Sequence, residues 1–571
     1  MIEAFKKILS ILNRSEKQLL ILISLLILSL GFIETIGIAI LIPFIDFLIK
    51  TNNQFQVDLG KYLEKFDIEF LKNFYQIDIS TLSVIIIIFY IFKNIYIIYS
   101  KYFIFLFSNK IQVRISKVLF ESFINRNLDY YQNNNSSKII NLLQSQTREF
   151  KKVLSEVINI YIEIIIILCI LALLIYINKE LVIYFSVILF ILVIINIFLF
   201  KSMTIQLGEK KNKTRIKSLS LLRDYFQSIK EILIETNKNF FVSNYIKSWN
   251  KFLRTQLNIA VLRNLPRSIV EIITVISIMI LINYKQPDTN TQDLLVQLSI
   301  YLIALVRIFP SLSKIGNSVS IVRFNVNAYE NIQESINETK NELDKKISNE
   351  IKNLKNFNKL NFENISFAYS SKNSIFEKKS FVFKKGQLIL IKGHSGTGKT
   401  TLLNLLMGLL TPAQGRICLD NKDIGEIKLS YHNIISYVPQ EISILDDSFL
   451  NNILFSRKSE FNQERFEQAI NKSGLKSFIN NLVDGVNTRV GEFGSKISGG
   501  QKQRICIARA LYKDAKILFF DEFTSSLDYE NEKEIMNSII NLKQGRIIFI
   551  VSHNDSFDKY ADQIIDMNSL N

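Results

Sequence analysis

At 571 residues the chain exceeds what one hydrophobic core supports, so more than one domain is expected. Apolar residues make up 48% and mean hydropathy is +0.19, which excludes an ordinary soluble enzyme. The net charge of +17 comes with no nucleic-acid reader module, so no nucleic-acid partner is expected, and the scattered Cys169, Cys418 and Cys506 exclude a disulfide framework or a zinc site.

Apolar residues form long runs up to about residue 320 and short, interrupted ones after it, the pattern of a membrane domain followed by a soluble one. The opening stretch from Met1 to Lys17 is basic and amphipathic, and the run behind it is too long for a cleaved signal. Six spans are read, over residues 18–49, 80–108, 152–178, 180–201, 259–284 and 294–320. Between spans three and four lies only Asn178-Lys179-Glu180, and between five and six the only cation is Lys285. By contrast, residues 109–152 carry eight Lys/Arg and residues 201–258 carry twelve. The positive-inside bias puts these two segments and both termini in the cytoplasm.

Those cytoplasmic segments have helical spacing, broken from Asn125-Arg126-Asn127 through Asn133-Asn134-Asn135 and at Thr236-Asn237-Lys238-Asn239. Helices leaving the membrane, turning and returning are predicted, with a short transverse helix at each tip. Asp129-Tyr130-Tyr131 and Phe240-Phe241 either make contacts at the tips or cap the hairpins. Between spans one and two, Phe55 to Ile77 reads as a helix on the outer membrane face or as a plain connector.

Glu34, Lys93, Glu163, Arg267, Glu271, Arg307 and Lys314 fall inside apolar runs, where a charge is costly. Arg267, Arg307 and Lys314 are candidates for a cationic wall facing an anionic head group; the alternative is pairing with Glu34, Glu163 or Glu271. Pro266 and Pro310 are placed to kink spans five and six.

Residues 1–325 are thus read as the membrane domain, 326–358 as a polar linker and 359–571 as an α/β domain of short strands and helices. Tyr369 precedes the most specific motif, Gly393-His394-Ser395-Gly396-Thr397-Gly398-Lys399-Thr400, which fits G-x-x-x-x-G-K-[ST]. The apolar run Gln387 to Ile391 precedes it as a strand, and Thr401 to Met407 follow as a helix. Glycines let successive N–H groups converge on a phosphate, and the helix N-terminus adds its positive end. Lys399 is expected on the outer phosphates and the Thr400 hydroxyl on Mg²⁺. Gln440 follows Val438-Pro439, and Ser498-Gly499-Gly500-Gln501-Lys502-Gln503-Arg504 precedes a helix read over Ile505 to Leu511 and offers a second set of anion-binding N–H groups. The strand Ile517 to Phe520 ends in Asp521, expected on Mg²⁺, and Glu522, placed to polarise the attacking water. Asp528 and His553 complete the polar set.

In this order the motifs resemble the ATP-binding cassette, and six spans ahead of it resemble an exporter-type half-transporter, a likeness covering nearly the whole chain. The resemblance implies Mg²⁺-ATP as cofactor and hydrolysis-driven transport. It also implies Tyr369 stacking on adenine, Gly393 to Thr401 around the phosphates, and Gln440 sensing the γ-phosphate beside Mg²⁺. Glu522 is then the general base and His553 orients the γ-phosphate. Ser498 to Gln501 would serve the partner subunit's ATP, with Asp528 in the dimer-contact loop, so a homodimer is implied. Thr488-Arg489-Val490-Gly491-Glu492 resembles the exporter-specific stretch before the signature. Ile497 for Leu and Ser526 for Ala are departures that remove no catalytic group. Phe32-Ile33-Glu34-Thr35 through Pro43-Phe44-Ile45, Pro266-Arg267, and Ala304-Leu305 with Arg307 and Pro310 are similar to PglK-type flippases of bacterial protein glycosylation. That likeness implies a lipid-linked oligosaccharide, whose pyrophosphate would meet the arginines. An exporter of lipids, drugs or peptides is the other reading.

Overall fold

The computed structural model describes residues 9–50, 56–58, 76–177, 201–284, 291–344, 354, 357–370, 373–455, 461–523 and 529–569. They form two compact units, the first comprising Met1–Arg126 with Tyr131–Asn341, the second Asn127–Tyr130 with Glu342–Asn571.

In the first unit four described helical stretches are long and apolar enough to cross a membrane: Arg14–Ile45, Ser80–Ile124, Ser136–Tyr176 and Leu302–Phe324. The predicted span at 259–284 is the end of a helix running Lys238–Tyr284. The predicted span at 180–201 falls, apart from Lys201, outside the described residues. Helices overrun the apolar runs at their cytoplasmic ends. The second reaches Ile124 and stops at Asn125, whose N–H bonds back to Glu121 and Ser122 carbonyls. Short helices Leu128–Asn133 and Ser136–Ile140 follow, the latter capped by Asn135, whose Oδ1 accepts from Ser137 N at 2.9 Å. The helix Lys201–Gln227, the short helix Ile229–Ile234 and the start of Lys238–Tyr284 form the second cytoplasmic element. There Tyr225 and Phe241 meet edge to face at 5.3 Å.

The interior of this unit is built at helical spacing. Ile166, Ile170 and Leu174 on one helix meet Leu30, Ile38 and Ile42 on another and Ala304 and Ile308 on a third. Lipid surrounds the outer faces, so close van der Waals packing rather than exclusion of water holds such helices together. Of the Phe55–Ile77 segment, strands β1 (Gln56–Asp58) and β2 (Gln76–Asp78) pair antiparallel. Those two ends are therefore extended rather than helical, and residues 59–75 lie outside the described residues.

In the second unit, strands β3 (Lys359–Ser370), β4 (Asn373–Lys384), β6 (Gln414–Leu419) and β7 (Lys422–Asp423) form an antiparallel sheet in the order β4-β3-β6-β7. Strands β5 (Leu388–Lys392), β8 (Ile435–Val438), β9 (Ile517–Asp521), β10 (Ile547–Val551) and β11 (Gln563–Asp566) form a parallel sheet in the order β11-β5-β10-β9-β8. Its central strands β5, β10 and β9 are buried on both faces, as a parallel sheet covered on both sides requires. Ile389, Ile391, Ile517, Phe519, Phe549 and Val551 pack into one core. Their alternates Leu388, Leu390, Leu518, Phe520, Ile548 and Ile550 pack into another. With both faces sealed, the loops at the C-terminal edge are where polar chemistry is displayed.

Candidate nucleotide site

Four of those loops carry the phosphate-loop residues, Gln440, Asp521 with Glu522, and His553. The phosphate loop leaves β5, Gln440 follows β8, Asp521 and Glu522 end β9, and His553 follows β10. Because β10 lies between β5 and β9, residues more than a hundred positions apart in the chain arrive side by side.

Within the loop, Gly398 is left-handed (φ 95°) and caps the helix Lys399–Leu406. A Cβ there would come within 2.6 Å of Ile375 Cγ2, so only glycine fits. Lys399 is buried, and its Nζ donates to the carbonyls of Gly393 (2.7 Å) and His394 (3.0 Å). The same Nζ lies 3.2 Å from His553 Nε2, which in turn is 3.2 Å from Glu522 Oε1. Nε2 can accept from the lysine or donate to the carboxylate, not both at once, so the imidazole tautomer selects its neighbour. Gln440 Nε2 donates to Glu522 Oε2 at 2.5 Å. Glu522 is itself held with φ 43°, its N–H donating to Val551 O at 3.1 Å.

Asp521 is buried. Burial, and then the neighbouring Glu522, raise its carboxyl above the usual range, against the opposing pull of a hydrogen bond from Tyr437 and the charge of Lys399. The Tyr437 hydroxyl donates to Asp521 Oδ2 at 3.3 Å, and its own titration is pushed up by burial and by that carboxylate. A desolvated carboxyl of this kind gains most from a nearby cation. Thr400, Asp521 and Gln440, whose amide nitrogen is already engaged, offer oxygen donors only. That is the donor chemistry Mg²⁺ takes.

Tyr369 is half exposed, its ring edge-on to Phe367 at 5.1 Å and its hydroxyl 3.3 Å from Thr401 Oγ1. Its open face suits a stacked base. Ser498 caps the helix Gly499–Tyr512 in a reciprocal box with Gln501: Ser498 N donates to Gln501 Oε1 at 2.9 Å and Gln501 N to Ser498 Oγ at 3.3 Å. Among the described residues no hydrogen bond joins this turn to the Lys399–His553–Glu522–Gln440 group, and Asp528 lies outside the described residues.

Two supporting residues escaped the sequence reading. Tyr437 sits on β8 just ahead of Val438-Pro439-Gln440, and Asn568 accepts the His394 N–H at 3.0 Å through Oδ1. Adjacency to Gln440 is the only signal that pointed to Tyr437; nothing pointed to Asn568, 174 positions from His394.

Two family descriptions match the chain, the ABC transporter transmembrane region over residues 20–307 and the ABC transporter over residues 376–525. The chain belongs to the ABC transporter family. It is a multi-pass inner-membrane protein with its nucleotide-binding domain on the cytoplasmic side. An ATP-dependent lipid A-core flippase of Ralstonia nicotianae is 37% identical over 210 residues, 36% of this chain and 36% of that protein. The beta-(1→2)glucan export ATP-binding/permease protein NdvA of Agrobacterium vitis is 40% identical over 205 residues, 36% of this chain and 35% of that protein. The chain thus aligns with only about a third of the length of these curated relatives. A bacterial Atm1-family ABC exporter with ATP bound superposes with a TM-score of 0.75 at 19% identity, covering 97% of this chain and 94% of that one, which shows the exporter fold.

Two of the predicted cationic residues of the ABC transporter's membrane region, Arg307 and Lys314, are paired. Glu34 is almost fully buried and receives both Arg307 and Lys93, the latter at 2.7 Å. Lys314 pairs with Glu163 at 2.8 Å. For Arg307 and Lys314 the ion-pair alternative is the one realised, which no sequence spacing could have specified across 273 and 151 positions. Pro266 and Arg267 lie on the helix Lys238–Tyr284, and their side chains are outside the described residues.

Proposed function

We propose that this ABC transporter hydrolyses ATP to flip a lipid-linked oligosaccharide from the cytoplasmic to the periplasmic leaflet, for protein glycosylation or cell-surface glycan assembly. Residues 1–325 serve as the translocation domain, 326–358 as linker and 359–571 as cassette. The observation that carries the ATPase is the contact chain Lys399–His553–Glu522–Gln440, a cation, an imidazole and a carboxylate meeting beside a phosphate loop.

In this reading Tyr369 stacks on adenine, and Gly393 to Thr401 enclose the phosphates. Thr400, Gln440 and Asp521 hold Mg²⁺, which when bound neutralises charge on the phosphate oxygens. Glu522 takes the proton of the attacking water, and His553 orients the γ-phosphate. The chain acts as a homodimer in which Ser498 to Gln501 and Asp528 face the partner's nucleotide. For the substrate, two cations on the single carboxylate of Glu34 leave one positive charge inside the spans, suited to a phosphate-bearing head group. The relatives named for lipid A-core flipping and β-(1→2)glucan export favour a lipid or glycan cargo over drugs or peptides.

Reconstituted protein should move a labelled lipid-linked oligosaccharide only with ATP. Glu522→Gln should cut both hydrolysis and movement by about 100-fold or more, the scale of a lost general base. Arg307→Met leaves a neutral Lys93–Glu34 pair and should slow movement while basal ATPase persists. Normal ATPase with no glycolipid movement would leave the cassette reading standing and defeat the substrate reading.

A further inference from the structure

Lys392 is the last residue of β5, immediately before Gly393, and the phosphate chemistry makes no use of it. Leu388 to Ile391 are buried, whereas the Lys392 side chain emerges with 19% exposure. Its Nζ is gripped by two carboxylates, Asp555 Oδ1 at 2.5 Å and Asp558 Oδ1 at 2.6 Å. Both acids belong to the 3₁₀ helix Asp555–Tyr560, which begins two residues after His553. Hydrogen bonding to Asp555 and Asp558 raises the lysine's titration and holds Asp555 below the usual carboxylate range.

On the other side of His553, Ser552 N donates to Ile391 O at 3.3 Å. The segment bearing His553 is therefore tied down before and after the imidazole, both times on the last two residues of β5. Inside that span Asn554 N donates to Ser552 Oγ at 3.0 Å and Ser556 N to Asn554 Oδ1 at 2.9 Å, leaving little slack. The phosphate loop starts at the next residue. Any loosening of the second tie lets His553 drift relative to Lys399, 3.2 Å away, and to Glu522.

We propose that Lys392 is a positioning residue for ATP hydrolysis, acting through Asp555 and Asp558 to fix His553 over the phosphate loop. The inference rests on the hydrolytic role given to His553 above. A misplaced imidazole costs turnover while the phosphate loop still binds nucleotide, so the effect belongs to kcat and not to KM.

The test uses full-length protein in nanodiscs, with ATPase and nucleotide affinity measured separately, the latter in the Glu522→Gln background. Lys392→Met should lower kcat about threefold to tenfold with KM and nucleotide affinity within about twofold, the scale of losing two exposed ion pairs. Asp555→Asn/Asp558→Asn should match it without touching Lys392, the triple variant should be no slower than either, and Lys392→Arg should retain most of the rate. An unchanged kcat in Lys392→Met, multiplicative losses in the triple variant, or an equal fall in nucleotide affinity would overturn the proposal. If Lys392→Met fails to fold, the double asparagine variant decides alone. Wild-type protein lacking ATPase that depends on Glu522 and His553 would defeat the hydrolytic reading instead, a separate result.

Discussion

Gly398 and Gly396 are both left-handed, with φ 95° and 86°, yet their surroundings differ. A Cβ on Gly396 meets nothing within 4 Å, whereas one on Gly398 strikes Ile375 Cγ2 at 2.6 Å. Gly396→Ala therefore adds only backbone strain of about 1–2 kcal/mol. Gly398→Ala adds that strain and a steric clash at the cap of the phosphate-loop helix. Titration of full-length protein with a fluorescent ATP analogue should show the larger loss for Gly398→Ala, at least about tenfold, 1.4 kcal/mol being one factor of ten. The motif G-x-x-x-x-G-K-[ST] fixes Gly398 and leaves position 396 open, but it does not name the contact that makes the difference. Ile375, which separates them, comes from a different sheet. Glu522 makes the same point: its type and place after an apolar strand announced a carboxylate at the strand end, and nothing announced its positive φ.

At the scale of elements, apolar runs revealed the spans because lipid contact demands them over a fixed length. Helix ends were less legible, since the chain stays helical past the lipid boundary with ordinary polar residues. Strands β1 and β2 are three residues each, too short for an alternating pattern to register. Packing distances were equally hidden. Gly208, in the basic helix Lys201–Gln227, lies so close to the end of Thr291–Phe324 that an added Cβ would sit 2.2 Å from Phe324 O. Backbone cannot step aside as a flexible side chain can. Gly208→Ala should cost about 1–3 kcal/mol, the range for overpacking, read as a lowered melting temperature of the detergent-solubilised protein.

At the scale of the molecule, the reciprocal Ser498–Gln501 box satisfies its two N–H groups internally and makes no hydrogen bond to the chain's own Lys399 group among the described residues. If the turn serves a second copy, defects in the two places should complement. Lys399→Ala and Gly499→Glu should each abolish ATPase in a homodimer. A dimer with one chain of each kind keeps one intact composite site and should recover ATP turnover, measured after tandem affinity purification of the mixed species. No recovery would mean that the turn works on its own chain's nucleotide. The cassette's residue types and order were readable because phosphate chemistry constrains them tightly. The membrane region's ion pairs were not, because any carboxylate in an apolar run can serve any cation.

The two carbonyl bonds of Lys399 carry one further consequence. With its ammonium seated on Gly393 and His394, the loop is already curled around a positive charge. An arriving phosphate finds the cradle formed and takes the lysine by exchanging partners with two peptide oxygens, so little configurational entropy remains to be lost. The cassette resembles a spring-loaded clasp closed on its own pin, ready to be filled without first being built.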